Sequence, residues 1–271
     1  MSIQTIHIAF VGAGNMAEAL IKGLLDARIT TAEKLIAADV NEARLQWLVE
    51  EYGITAARSN EDAVARAELV VLAVKPQQLL EVAQGVAARV RSSHTVVSIA
   101  AGIRLARIEA ALPPRTAVIR AMPNTPALVQ RGVTVLARGT SARDADVHVA
   151  RDLFLAAGKV LELPEDAMDA VTAVSGSGPA YVFYLMEAMI EAAVAHGLRR
   201  SDARMLVEET VRGAGELAAR LHEDPQALRR RVTSPGGTTE AAIKVLDARK
   251  VKEAFTAAIA AAAARSRELG A

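Results

Sequence analysis

The chain has 271 residues, enough to bury a full core and to form two domains. Its 32 basic and 31 acidic residues nearly cancel, so no basic field argues for nucleic acid or an anionic membrane. With no cysteine, disulfides, thiolate chemistry and a zinc ribbon are excluded, as suits a reducing cytoplasm, and the five histidines are scattered without metal-ligand spacing.

The N-terminus runs straight into a strand-like segment with no leader pattern, so a cytoplasmic protein is expected. Ile6-His7-Ile8-Ala9-Phe10-Val11 is an apolar run ending at glycine, which predicts a buried strand. A helix is expected from Asn15 to Ala27, then a strand at Leu35–Ala38 and a helix from Asn41 to Tyr52. Leu69-Val70-Val71-Leu72-Ala73-Val74 is apolar throughout, as a central parallel strand should be. Pro76 stops it, and 77–90 returns to helix. Further strands are predicted at 95–99, 117–120, 132–136 and 159–161. This alternation of strand and helix predicts right-handed βαβ units and a doubly wound sheet.

Pro164 marks a change. Beyond it no strand is predicted, and helices are expected over 166–175, 179–196, 201–221, 224–231, 239–247 and 250–268. The predicted domains are therefore 1–164, an α/β domain, and 165–271, all helical. Ala180 to Ala195 is strongly apolar but carries Glu187 and Glu191, costly at a membrane centre. A helix apolar all round is buried, and a small helical domain has little room for it alone, so a subunit interface is expected. Alanine-rich Ala257 to Ala264 would allow close helix approach.

Gly12-Ala13-Gly14-Asn15-Met16-Ala17 follows the first strand and opens the first helix, the context that makes a G-x-G-x-x-A run a dinucleotide site. The first glycine permits the turn, the second lets a pyrophosphate approach, and the small Ala17 lets helix and strand pack closely. The second strand should end at Asp39, placed to meet the adenine ribose and to favour NAD. Arg44 and Asn60 stand where either could help a 2′-phosphate, so NADH and NADPH both remain open. Ligands of open sheets gather at the carboxyl ends of strands. Three more strand ends are thereby marked. Ala73-Val74-Lys75-Pro76 would face ribose or phosphates. Ala100-Ala101-Gly102 would form a small-residue edge for a nicotinamide, and Asn124, in Met122-Pro123-Asn124-Thr125-Pro126, would offer an amide to its carboxamide.

The other distinctive stretch is Val232-Thr233-Ser234-Pro235-Gly236-Gly237-Thr238-Thr239-Glu240, small and polar, opening a predicted helix. Free N–H groups at such a start attract anions. These segments, with Ala173-Val174-Ser175-Gly176-Ser177-Gly178-Pro179-Ala180-Tyr181, occur in an order that resembles pyrroline-5-carboxylate reductases over essentially the whole chain. The last two motifs are the most specific.

The resemblance implies an N-terminal Rossmann-like domain, a C-terminal dimerisation domain whose two copies interlock, and NADPH or NADH reducing the C=N bond of 1-pyrroline-5-carboxylate to L-proline. By motif match it implies that the Thr239 hydroxyl meets the imine nitrogen. Ser234, Gly236, Gly237 and Thr238 would bind the substrate carboxylate, and Glu165 would lie near the substrate. Asp39 departs from a family that commonly uses NADPH. For Ser175-Gly176-Ser177-Gly178-Pro179, packing against the cofactor domain and direct substrate contact both stand open.

Imine reduction needs positioning more than acid–base equipment, because a protonated imine is already electrophilic. A threonine can donate or accept a hydrogen bond without titrating. The rival β-hydroxyacid dehydrogenases usually carry a lysine one helical turn after a comparable glycine; here that place is Val182, which cannot serve as acid or base. A non-catalytic dinucleotide sensor would leave the 232–240 stretch idle.

Overall fold

A computed structural model describes residues 2–270. Two compact units emerge: one runs to Ser177 and takes in the chain again from Ala261, the other is Gly178–Ala260.

The first unit contains β1 (Ile8–Val11), α1 (Asn15–Asp26), β2 (Leu35–Ala38), α2 (Glu42–Tyr52), β3 (Thr55–Ala56), α3 (Asn60–Ala65), β4 (Leu69–Leu72), α4 (Pro76–Val86), β5 (Thr95–Ser98), α5 (Leu105–Ala110), β6 (Ala117–Met122), β7 (Gly132–Arg138), α6 (Asp144–Leu155), β8 (Gly158–Glu162) and α7 (Met168–Val171). The strands form one eight-stranded sheet in the order β3-β2-β1-β4-β5-β6-β7-β8. The apolar runs have a direct cause: every residue of β1, β2, β4 and β5 is buried, as expected where helices cover both faces of a sheet. One face packs Phe10, Leu20, Leu24 and Phe154; the other packs Val70, Leu79, Ile108 and Val118. Each such side chain contributes roughly 1.5–3 kcal/mol by leaving water.

Local chemistry sets several element ends. Asn41 caps α2 by accepting from Arg44 N at 3.0 Å, and Gly53 ends it in the left-handed region at φ 68°. Ser59 caps α3 by accepting from Asp62 N at 3.1 Å.

The doubly wound reading holds for the order β3-β2-β1-β4-β5-β6, all parallel, but not for the next pair: β7 runs antiparallel to β6, with Met122 opposite Val135. The link from Met122 to Gly132 is too short for a parallel crossover, which takes roughly a dozen residues or more. The helix α6 then supplies the crossover that makes β8 parallel to β7. The short β3, α3 and α5 and the longer α6 were not marked in the sequence reading. They lie where its apolar periodicity is weak or where the run is only a turn or two long.

The second unit is helical: α8 (Gly178–Ala195), α9 (Arg200–Leu221), α10 (Pro225–Arg231), α11 (Thr238–Ala248) and the first part of α12 (Val251–Gly270). Asp224 caps α10 by accepting from Gln226 N at 2.7 Å, with Pro225 in the first turn. Among the described residues of this unit, the buried apolar ones are Ala203 and Val207, while Tyr184 is 74% and Phe183 57% exposed. Among the described residues, no helix is long and apolar enough to cross a membrane.

Candidate active site

The strand ends of the first unit are laced together at the glycine-rich turn. Gly12 N–H donates to Ala38 O at 2.8 Å, and Ala73 N–H donates to Val11 O at 2.8 Å, joining the carboxyl ends of β1, β2 and β4. Gly12 sits at φ +100°, and a Cβ there would meet Ala73 O at 2.7 Å, so the turn admits no side chain. Gly14, by contrast, begins α1 with open space: nothing lies within 4 Å of an added Cβ. No protein atom demands a glycine there, whereas a pyrophosphate approaching the backbone would. The start of α1 carries no side-chain cap, and Gly14 and Asn15 are exposed. Met16 is partly buried behind them. The residues present thus fit the phosphates of a dinucleotide.

Asp39 lies directly after β2, as its motif requires, and its carboxylate is already engaged. Ala13 N–H donates to Oδ2 at 2.6 Å and Asn41 N–H donates to Oδ1 at 2.8 Å. Arg44 turns the same way: its Nε donates to Ala13 O at 2.8 Å, its Nη2 pairs with Glu18, and its guanidinium stacks over Trp47 at 4.7 Å. Tyr52 closes the group by donating to Glu18 Oε1 at 3.3 Å. Burial, and then the Glu18 charge, hold the Tyr52 hydroxyl above its ordinary value, so it stays a donor. Asn60 opens α3, just beyond the short strand β3. Lys75 is the exposed N-cap of α4 with Pro76 at the first helical position, and Ala73 and Val74 are partly buried beside it.

Two sites differ from expectation in what they leave free. Of Ala100, Ala101 and Gly102, only Ala101 keeps partial exposure; Gly102 lies against Ser266 and Leu269 of the last turns of α12. The Ser266 hydroxyl donates to Asp169 Oδ1 at 2.6 Å, anchoring that end of the helix. The Asn124 side chain is not a loose amide. Its Nδ2 donates to Ser175 O at 3.1 Å and its Oδ1 accepts from Val133 N at 2.9 Å, so it ties the β6–β7 link to the Ser-Gly-Ser stretch. Gly176 lies beside the Met122 methyl, the far end of a flexible side chain. Residues 172–176 form a π-helical turn with Ser177 N–H donating to Thr172 O at 2.8 Å. These bonds pack Ser175–Ser177 within the first unit.

Glu165, which the resemblance places near the substrate, makes bonds of its own within the first unit. Its Oε1 accepts from Leu105 N at 2.6 Å, capping α5, and pairs with Arg120 Nη1 at 3.2 Å. Arg120 is 3% exposed, so this is a buried clasp. Arg120 is the last residue of the strand predicted at 117–120. The signal was present: an arginine inside a buried strand needs a carboxylate partner.

In the second unit, the stretch before α11 is shaped by its own hydrogen bonds. Thr233 Oγ1 donates to Arg229 O at 2.7 Å, and Gly237 N–H donates to Ser234 O at 3.0 Å. Gly236 takes φ +71°, a turn that only glycine enters without strain. Gly236 N–H donates to Glu240 Oε2 at 3.0 Å, and Lys244 pairs with the same oxygen at 3.2 Å. Gly237 is the N-cap and no side chain caps α11, so the N–H groups of Thr238 and Thr239 stay available. Ser234 and Thr238 are exposed and Thr239 is half-buried.

A family model described as pyrroline-5-carboxylate reductase dimerisation matches residues 165–269, and one described as NADP oxidoreductase coenzyme F420-dependent matches residues 7–102. The pyrroline-5-carboxylate reductase of Pseudomonas aeruginosa is 44% identical over 268 residues, covering 98% of each chain. The structure of such a reductase from Coxiella burnetii is similar at TM-score 0.92 and 36% identity, covering 99% of this chain and 100% of that one. That of the Plasmodium falciparum pyrroline carboxylate reductase with NADP bound is similar at TM-score 0.90 and 29% identity, covering 99% of both. Both ends of the chain, the nucleotide turn and the Thr-Ser-Pro-Gly-Gly-Thr-Thr helix start, thus fall within one matched whole, and the chain belongs to the pyrroline-5-carboxylate reductase family.

Proposed function

We propose that this protein reduces the C=N bond of 1-pyrroline-5-carboxylate to L-proline, the last step of proline biosynthesis, as a cytoplasmic homo-oligomer using NADPH or NADH. The observation that carries this reading is the uncapped start of α11, preceded by Ser-Pro-Gly-Gly and formed without any cationic side chain. Family membership supports the same reading, and the NADP bound to the Plasmodium falciparum structure supports the cofactor. The model matched at 165–269 supports a dimerisation domain with the boundaries 165–271, although the compact helical unit itself begins at Gly178.

Each unit has its own chemical task. In the first, Gly12, Ala13, Gly14, Asn15 and Met16 receive the pyrophosphate. Asp39 and Asn60 stand toward the adenine ribose, and Ala73, Val74, Lys75 and Pro76 stand toward the remaining ribose and phosphates. Ala100, Ala101 and Gly102 support the nicotinamide, with Asn124 holding the shape of that edge from behind. Bound NADPH or NADH supplies a hydride to the imine carbon. In the second unit, the N–H groups of Thr238 and Thr239, presented by the Gly236-Gly237 turn, with the Ser234 hydroxyl, hold the substrate carboxylate at a helix N-terminus. Glu240 is turned back onto Gly236 N–H and Lys244, which offsets its repulsion of an arriving anion. The Thr239 hydroxyl orients the imine nitrogen and donates to it as the nitrogen becomes an amine.

Mixing the protein with 1-pyrroline-5-carboxylate and either dinucleotide should give a loss of reduced-nicotinamide absorbance. Thr239→Val should lower kcat/KM roughly a hundredfold, as for removal of one well-placed donor, with the dinucleotide Kd unchanged. Wild-type kcat/KM in that variant would overturn the role of Thr239, and no turnover with either dinucleotide would overturn the reductase reading.

A further inference from the structure

The group around the glycine-rich turn contains a residue that nothing so far has used, Glu18. It lies on the first turn of α1, one turn inside the helix that meets the pyrophosphate. Its carboxylate pairs with Arg44 Nη2 and accepts from Tyr52. Arg44 in turn bonds Ala13 O and stacks on Trp47. The pair is largely shielded, the side chains of Arg44 and Glu18 being 24% and 20% exposed.

On the other side of the same residue, Ala13, stands Asp39. Its two oxygens are held by the backbone N–H groups of Ala13 and Asn41, and no cation pairs with it among the described residues. Both oxygens keep a lone pair, so the carboxylate can still accept from ribose hydroxyls. A 2′-phosphate in the same place would bring about two negative charges against it. The cation placed to compensate, Arg44, already has its charge matched by Glu18. The backbone of Ala13 thus separates an uncompensated acid from a compensated base.

We propose that Glu18 is a specificity-determining residue, whose hold on Arg44 leaves Asp39 unopposed and makes this chain bind NADH in preference to NADPH. This inference rests on the dinucleotide-binding reading above and sharpens it to one cofactor.

The test is equilibrium titration of the whole protein with NADH and with NADPH, read by nicotinamide fluorescence without substrate. The wild type should bind NADH more tightly by roughly tenfold or more, the scale expected of a juxtaposed like charge. Asp39→Asn keeps an acceptor for Ala13 N–H, removes the charge and should collapse most of the preference. Glu18→Gln frees Arg44 and should narrow it by tightening NADPH alone. Arg44→Met supplies a check that does not depend on Glu18: a neutralised Arg44 leaves the NADH-to-NADPH ratio at its wild-type value when removed, whereas an arginine that grips a 2′-phosphate loses NADPH selectively. NADPH binding as tight as NADH in the wild type would overturn the inference and leave the reductase reading standing. So would a ratio untouched by Glu18→Gln, or a selective loss of NADPH in Arg44→Met. Binding of neither dinucleotide would overturn both.

Discussion

The two units dispose of their apolar side chains in opposite ways. In the sheet unit, four strands are buried at every position and both faces of the sheet carry a closed core. In Gly178–Ala260, Val182, Phe183, Tyr184 and Leu185 are exposed in succession, and Met205, Leu206, Val245 and Phe255 are exposed on other helices. A helix shows water apolar residues all round only when something else is meant to cover them. The sheet unit holds a closed core of its own, whereas the helical unit leaves its apolar helix faces to a second copy of the chain. Polar chemistry follows the same division. The first unit ties its polar groups to one another, as in Asn124 and Glu165, while the second leaves the N–H groups at the start of α11 open.

The comparison breaks most visibly at the exposed helix. Phe183→Asp should dissociate the oligomer, with a loss at the scale of an interface hot spot, about 2 kcal/mol or more. Light scattering coupled to size exclusion reads the mass, and far-UV circular dichroism should show the helices retained. An unchanged mass would mean that this face is not the covered one. A core substitution in the sheet unit should act in the opposite sense. Phe154→Ala removes a side chain with no exposure and should cost about 3–5 kcal/mol of unfolding free energy, while the mass at moderate concentration stays that of the wild type.

The smallest effect is a pH dependence confined to the sheet unit. His94 is buried; its Nδ1 accepts from Arg91 N at 3.0 Å. Burial, and then the nearby Arg91 charge, hold its pKa below 6.5. The unfolded chain therefore takes up a proton near 6.5 while the folded one does not. Stability is full above that pH and declines as the pH falls toward the lowered folded value. Thermal unfolding followed across this window should show the decline, and His94→Asn should flatten it. An equal slope in the variant would assign the effect to another group.

Much of this was legible in advance because it depends on neighbours along the chain. The buried strands could be read from continuous apolar runs, the nucleotide turn from glycines set between a strand and a helix, and the second half from helical stretches without a strand. Helix boundaries such as 178–195 and 238–248 fell within a residue or so of those expected, since proline, glycine and capping residues mark them locally. Partners far apart in sequence were not legible. The bonds of Asn124 to Ser175, of Glu165 to Leu105 and Arg120, and of Arg44 to Glu18 all span long stretches of chain that no local pattern connects.

By itself, the sequence determined which chemical groups stand at the strand ends and at the start of α11, because backbone periodicity and turn residues fix those positions locally. Only the tertiary structure decided which of those groups remain free to meet a ligand. A carboxylate or guanidinium has few bonding sites, and whichever partner folding brings within about 3 Å occupies them first. It also decided that β7 turns back against β6, because the length of a connection matters only once both strands lie in one sheet.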